Sequence, residues 1–175
     1  MYYIPKKIPK AAGLISVGFY GAAAVFYVLG EFLKPRLAFQ LPALVLIALG
    51  VFFTSRYILT DYKYVLKDIE RKGEEVTLTV VRVNGKRETV VASFDLLDAY
   101  AFEKCKTNTE FEQKHGKVDK IYNYVSNLFS EERHMLAFTF NGKKVALTIE
   151  LCPEFVANVR ALLVNTIQKY GEENN

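Results

Sequence analysis

Side chains able to do chemistry are few in this 175-residue chain. Cys105 and Cys152 stand 47 positions apart and make no C-x-x-C pair, and a cytoplasmic side would keep both reduced. His115 and His134 are the two histidines. A zinc site takes four ligands at recognisable spacing, which these four residues do not offer. Cys105 could act as a nucleophile with His115 as its base, but His115 lies in a polar stretch and no third group stands out to orient it. Gly13, Gly18 and Gly21 fall inside an apolar run, so they form no phosphate-cradling loop. The expectation is a protein that is not an enzyme, with no catalytic residue, no metal ligand and no cofactor.

Hydrophobicity and charge are more informative. The chain has 23 basic and 19 acidic residues, yet residues 11–55 hold only three of them, Glu31, Lys34 and Arg36. Ala11 to Gly30 is an uncharged run, and Leu37 to Ser55 is a second. A membrane-crossing helix needs about 20 mainly apolar residues. The second run carries eleven Leu, Ile, Val or Phe residues, each favouring insertion by about 0.3–0.6 kcal/mol. The first carries eight and leans on small residues; Ala12 with Ser16, and Gly18 with Ala22, lie four apart as in close helix packing. A signal peptide would lead into polar sequence, and interfacial helices would need a basic face; neither pattern is present. Residues 1–57 therefore read as a transmembrane helical hairpin with spans of about 11–30 and 37–55. Lys6, Lys7 and Lys10 precede it, and Arg56, Lys63, Lys67, Arg71 and Lys72 follow it. Basic residues stay inside, which places both termini in the cytoplasm of a multi-pass protein of the inner (cytoplasmic) membrane. Tyr2, Tyr3, Tyr27, Phe32, Phe52, Phe53 and Tyr57 lie where interfacial aromatics would set its depth.

Residues 58–175 read as one mainly-β domain. Residues 56–175 balance 18 basic against 18 acidic residues, so a nucleic-acid backbone is not an expected partner. Aromatic and β-branched residues mark strands over 58–66, 76–83, 86–94, 99–105, 118–128, 134–140 and 143–151. Asn84-Gly85 and Asn141-Gly142 read as type I′ hairpin turns. A two-residue turn at the second would set Phe140 opposite Lys143, Phe138 opposite Val145 and Leu136 opposite Leu147. Residues 106–117 read as a long loop. Pro153 and Glu154 open a helix over 153–170, with Phe155, Val156, Val159, Leu162, Leu163 and Ile167 as its apolar stripe and Gly171 as its stop. Tyr62, Tyr64, Tyr122 and Tyr124 form a candidate partner-binding strip, against the alternative that they cover the core. Asn123 and Asn127 share a strand face with Ile121 and Val125, a mixture the sequence does not explain.

Seven antiparallel strands and a closing helix follow the order of a pleckstrin-homology-like (PH-like) barrel. With RYILTDYKYVL after the second span and FNGKKVALTIELCPEFVANVRALL near the end, the chain resembles bacterial small membrane proteins that join two membrane helices to a PH-like domain. The resemblance implies a non-enzymatic module beside the membrane that binds a protein or lipid, such as a scaffold or assembly factor for a membrane complex. Eukaryotic PH domains hold phosphoinositides on basic residues between the first two strands, which maps here onto Lys67, Arg71 and Lys72. That loop also carries Asp68, Glu70, Glu74 and Glu75, so its net charge is −1 and it departs from the lipid-binding pattern. The expected partners are the bilayer and a membrane or membrane-associated protein, with the oligomeric state left open.

Overall fold

A computed structural model describes residues 1–67 and 76–173. Their elements are β1 (Tyr2–Tyr3), α1 (Pro9–Phe32), α2 (Arg36–Phe53), β2 (Thr60–Lys67), β3 (Thr77–Asn84), β4 (Arg87–Asp95), β5 (Ala99–Lys104), α3 (Asn108–His115), β6 (Lys120–Asn123), β7 (Arg133–Phe140), β8 (Lys143–Glu150) and α4 (Pro153–Glu173). The chain divides into two units. One is helical, residues 7–61 with 126–129; the other is mainly β, residues 1–6, 62–125 and 130–175. Each unit takes in a short segment from across the sequence.

In the helical unit, α1 and α2 with its extension are long and apolar enough to cross a membrane. They pack through small residues: Ala12, Ser16, Ala23 and Ala43 are buried. Apolar side chains facing out gain nothing by pairing in lipid, so close backbone approach has to supply the attraction. Of the two small-residue pairs, Ala12 and Ser16 lie in the interface, whereas Gly18 is exposed. At Gly50 an added Cβ would stand 2.8 Å from the Tyr20 ring, while at Gly18 it would meet nothing within 4 Å. Beyond α2 the chain winds on as a π-helical turn, Thr54–Leu59, so Ile58 and Leu59 are helical rather than the start of a strand. The Thr60 hydroxyl donates to the Ser55 carbonyl at 2.8 Å and closes that wider turn. At the start of α1, the Ile8 N–H donates to the Asn127 side chain at 2.7 Å. This bond accounts for the asparagine left unexplained above: it satisfies a backbone donor at a helix start.

The β unit holds two four-stranded sheets, ordered β1-β2-β3-β4 and β5-β7-β8-β6. Among the described residues these sheets do not join into a closed barrel, and there are eight strands rather than seven. The extra strand is β1, in which Tyr2 and Tyr3 pair with Val65 and Tyr64. One strand pair is not antiparallel. β6 runs parallel to β8, reached through α3, which occupies most of the stretch expected to be a loop. A T-x-x-E box starts α3: the Glu110 N–H donates to the Thr107 hydroxyl at 3.2 Å, and the Glu110 carboxylate accepts from the Lys106 N–H at 3.0 Å. Phe111 then anchors α3 against Cys105, Val118, Met135, Ala137 and Ala146. This explains why β7 and β8 are buried on both faces. Leu136, Phe138, Leu147 and Ile149 face the main core, and Met135, Ala137 and Ala146 face α3.

The hairpin at Asn141-Gly142 has positive φ at both residues, and Phe140, Phe138 and Leu136 stand opposite Lys143, Val145 and Leu147 as expected. At the other hairpin Asn84 pairs with Arg87, so the turn residues are Gly85 and Lys86; only Gly85 takes positive φ, and type I′ is excluded. The expected strand over 118–128 shrinks to Lys120–Asn123. α4 buries Phe155, Val156 and Val159, with Leu162 and Leu163 against the same core, and it runs on through Gly171 to Glu173. The side chain of Ile167 lies outside the described residues.

Two substitutions test this packing. Gly50→Val, which forces Tyr20 aside, should destabilise the helical hairpin by about 1–3 kcal/mol, while Gly18→Ala should change it by no more than about 0.5 kcal/mol. Denaturant titration of the full chain in detergent micelles, followed by circular dichroism, reads both. Tyr64→Phe should cost the β unit about 1–3 kcal/mol, because it strips a donor from the Tyr124 carbonyl and an acceptor from the Glu150 N–H.

Candidate functional site

The four candidate tyrosines divide by exposure. Tyr62 and Tyr64 are buried in the main core, so they offer a partner no surface. The Tyr64 hydroxyl donates to the Tyr124 carbonyl at 2.7 Å and accepts from the Glu150 N–H at 3.1 Å. Burial, first of all, holds its phenol well above the ordinary tyrosine value. Tyr122 and Tyr124 are half-buried, with parallel rings 6.1 Å apart, and Tyr62 meets Tyr124 edge-on at 5.6 Å.

These two half-buried rings line a cleft of about 330 Å³. Its opposite wall is β4, from Val91 to Asp95, and its floor is Phe138 stacked on Phe94 at 4.8 Å. Phe140, 61% exposed, stands at the mouth, and Asp95 and Asp98 also line the cleft. β4 and β6 are the last strands of their respective sheets, so the cleft opens where neither sheet continues. Sequence reasoning singled out Tyr122 and Tyr124 but missed Phe94, Phe138 and Phe140. Period-two alternation could have grouped Phe138 with Phe140, but only the pairing of the sheets brings Phe94 to them.

Of the basic residues proposed for lipid, Lys67 is exposed at the end of β2. Arg71 and Lys72 lie outside the described residues. Cys105 is buried beside Phe111, and its thiol is pushed up by burial, then by the carboxylates of Glu103 and Glu110. A thiol held this way is mainly neutral near pH 7 and is not an activated nucleophile. His115 turns instead to Glu103 at 3.0 Å, a carboxylate that also takes Lys114 at 2.7 Å. The bonds from Lys114, then His115, hold that exposed carboxyl below its ordinary range. Among the described residues no group of three or more His, Cys, Asp or Glu side chains could hold a metal ion.

His134 is 6% exposed, stacked on Phe102 at 5.6 Å, with Nδ1 donating to the Glu132 carbonyl at 2.9 Å. Burial lowers its pKa, and the hydrogen bond to Glu132 partly opposes this. A histidine with a lowered folded-state pKa binds fewer protons folded than unfolded, so stability falls as pH drops below its ordinary value of about 6.5. Melting of the full chain should therefore weaken between pH 7 and pH 5, by about one proton's worth of linkage, and His134→Gln should flatten that slope. An unchanged slope in the variant would assign the pH dependence to other groups.

No family model matches this chain, and no curated protein or solved structure is significantly similar to it.

Proposed function

We propose that this chain is a membrane-anchored, PH-like binding module that serves as a scaffold or assembly factor for a membrane protein complex. The observation that carries the reading is the aromatic cleft. Phe94, Tyr122, Tyr124, Phe138 and Phe140 line a concave surface that also includes Asp95 and Asp98. Such a surface suits an apolar side chain of a partner protein, with polar contacts at the edge. Two apolar helices and the basic residues flanking them support placement in the inner membrane with both termini in the cytoplasm. The π-helical turn ends at Leu59 and β2 starts at Thr60, so no flexible linker intervenes in the chain. Tethering to the bilayer raises the effective concentration of any membrane partner.

The PH-like assignment rests on the β2-β3-β4 meander, the second sheet and the final helix. The parallel β6 and the inserted α3 are departures from that plan. Lipid recognition by Lys67, Arg71 and Lys72 is the competing reading, and its loop carries more acid than base.

The full chain should retain a membrane protein when purified from native membranes in mild detergent. Phe140→Asp, at an exposed position of the cleft mouth, should reduce that retention by about tenfold, equivalent to about 1.4 kcal/mol. Val164→Asp, at an exposed α4 position that does not line the cleft, should leave it unchanged. Equal retention by both variants would remove the cleft from the binding surface. Binding to anionic vesicles that weakens with salt, without a retained protein, would favour the lipid reading.

A further inference from the structure

A second cavity, of about 430 Å³, shares no residue with the aromatic cleft. It forms where the α4 helix passes the end of the second sheet. Lys104 stands opposite His134 in the β5–β7 ladder, and Arg160 reaches the same space from α4. The buried Leu151 and Val156 supply its apolar wall.

Three features of these residues point to a ligand. First, among the described residues neither Lys104 nor Arg160 has a carboxylate partner, although two cations beside one cavity repel each other. Second, Glu132 is the one acid in the wall, so two cations face a single carboxylate; that carboxylate, after burial, also pushes the Tyr3 phenol up to about 12. Third, His134 lines this cavity with one ring nitrogen to spare. Its Nδ1 is committed to the Glu132 carbonyl, which leaves Nε2 without a protein partner. A neutral ring bonded in this way presents Nε2 as an acceptor, and a protonated ring presents it as a donor.

We infer that this cavity binds a small organic anion, a carboxylate or phosphate group on an apolar body, with Lys104 and Arg160 clamping the charge and His134 Nε2–H donating to it. The anion balances the one positive charge by which Lys104 and Arg160 exceed Glu132, and its apolar body covers Leu151 and Val156. Binding takes up a proton on His134. Burial and the two cations hold the empty site's imidazole neutral, and an anion between them reverses that balance. The charged groups facing the ring are Lys104 from β5, Glu132 from the segment before β7 and Arg160 from α4, so binding should tighten as pH falls toward 6.

The test uses the full chain in detergent micelles with ¹³C-labelled histidine. Only two histidines are present, and His115→Gln assigns their signals. Benzoate and phenyl phosphate serve as probes, inorganic phosphate as the anion without an apolar body, and benzyl alcohol as the body without charge. One or both aromatic anions should shift the His134 ring signal saturably at millimolar concentration and raise its apparent pKa by about one unit. The tighter of the two identifies the anionic group as carboxylate or phosphate. Lys104→Gln and Arg160→Gln, both at exposed positions, should each weaken binding by about tenfold. The inference is overturned if neither aromatic anion gives a saturable shift, if benzyl alcohol binds equally well, or if both variants bind like the parent. Inorganic phosphate binding as tightly as phenyl phosphate would overturn the apolar half of the site.

Discussion

A single phenol joins the two sheets of the β unit. Tyr64 leaves β2 in the first sheet and spends its hydroxyl on the second, donating to the Tyr124 carbonyl just past β6 and accepting from the Glu150 N–H at the end of β8. Tyr3 stacks over its ring at 6.4 Å and in turn meets Phe155 of α4 at 6.0 Å. β1, β8 and the segment just past β6 thus converge on a β2 side chain with no solvent exposure. A buried hydroxyl left unpaired costs about 1–3 kcal/mol, so this arrangement tolerates little change in how the sheets meet. The cleft inherits that constraint, because the carbonyl held by Tyr64 belongs to Tyr124, one of its lining residues.

The helical unit obeys a different rule. Its outward residues are large and apolar, its inward ones small, the reverse of a soluble helical pair. Polar groups at its ends find local partners. Lys7 pairs with Asp61 at 2.7 Å and donates to the Thr60 carbonyl at 3.1 Å, and Asn127 meets the Ile8 N–H. Residues far apart in sequence therefore complete each unit: 126–129 in the helical one and 1–6 in the β one. In the β unit the Met1 N–H donates to the Leu66 carbonyl at 2.8 Å.

The two cavities of the β unit differ in kind. The cleft between β4 and β6 is aromatic, with Asp95 and Asp98 also in its lining. The cavity beside α4 gathers two cations and a buried imidazole around a smaller apolar wall. β7 contributes to both linings, Phe138, Thr139 and Phe140 to the cleft and His134 to the cavity.

Much of the local structure was legible in the chain. Two uncharged runs mark the helices, Asn141-Gly142 sets its hairpin register through two residues at positive φ, and the stripe from Phe155 to Leu163 marks the face α4 buries. These features depend on period, turn chemistry and length, which are properties of neighbouring residues. The two-residue β1 was illegible because it has no period to detect. α3 was hidden by its polar composition, although its T-x-x-E box was available as a signal. Whether a tyrosine is core or surface depends on what packs against it: Tyr62 and Tyr64 are buried, while Tyr122 and Tyr124 line a cleft, with the same residue type in the same alternation. By itself the sequence determined two apolar helices and a mainly-β remainder. The tertiary structure alone decided which aromatics share a cleft, that β6 lies parallel to β8, and that Lys104, His134 and Arg160 meet, because each depends on contacts between segments that the chain order separates.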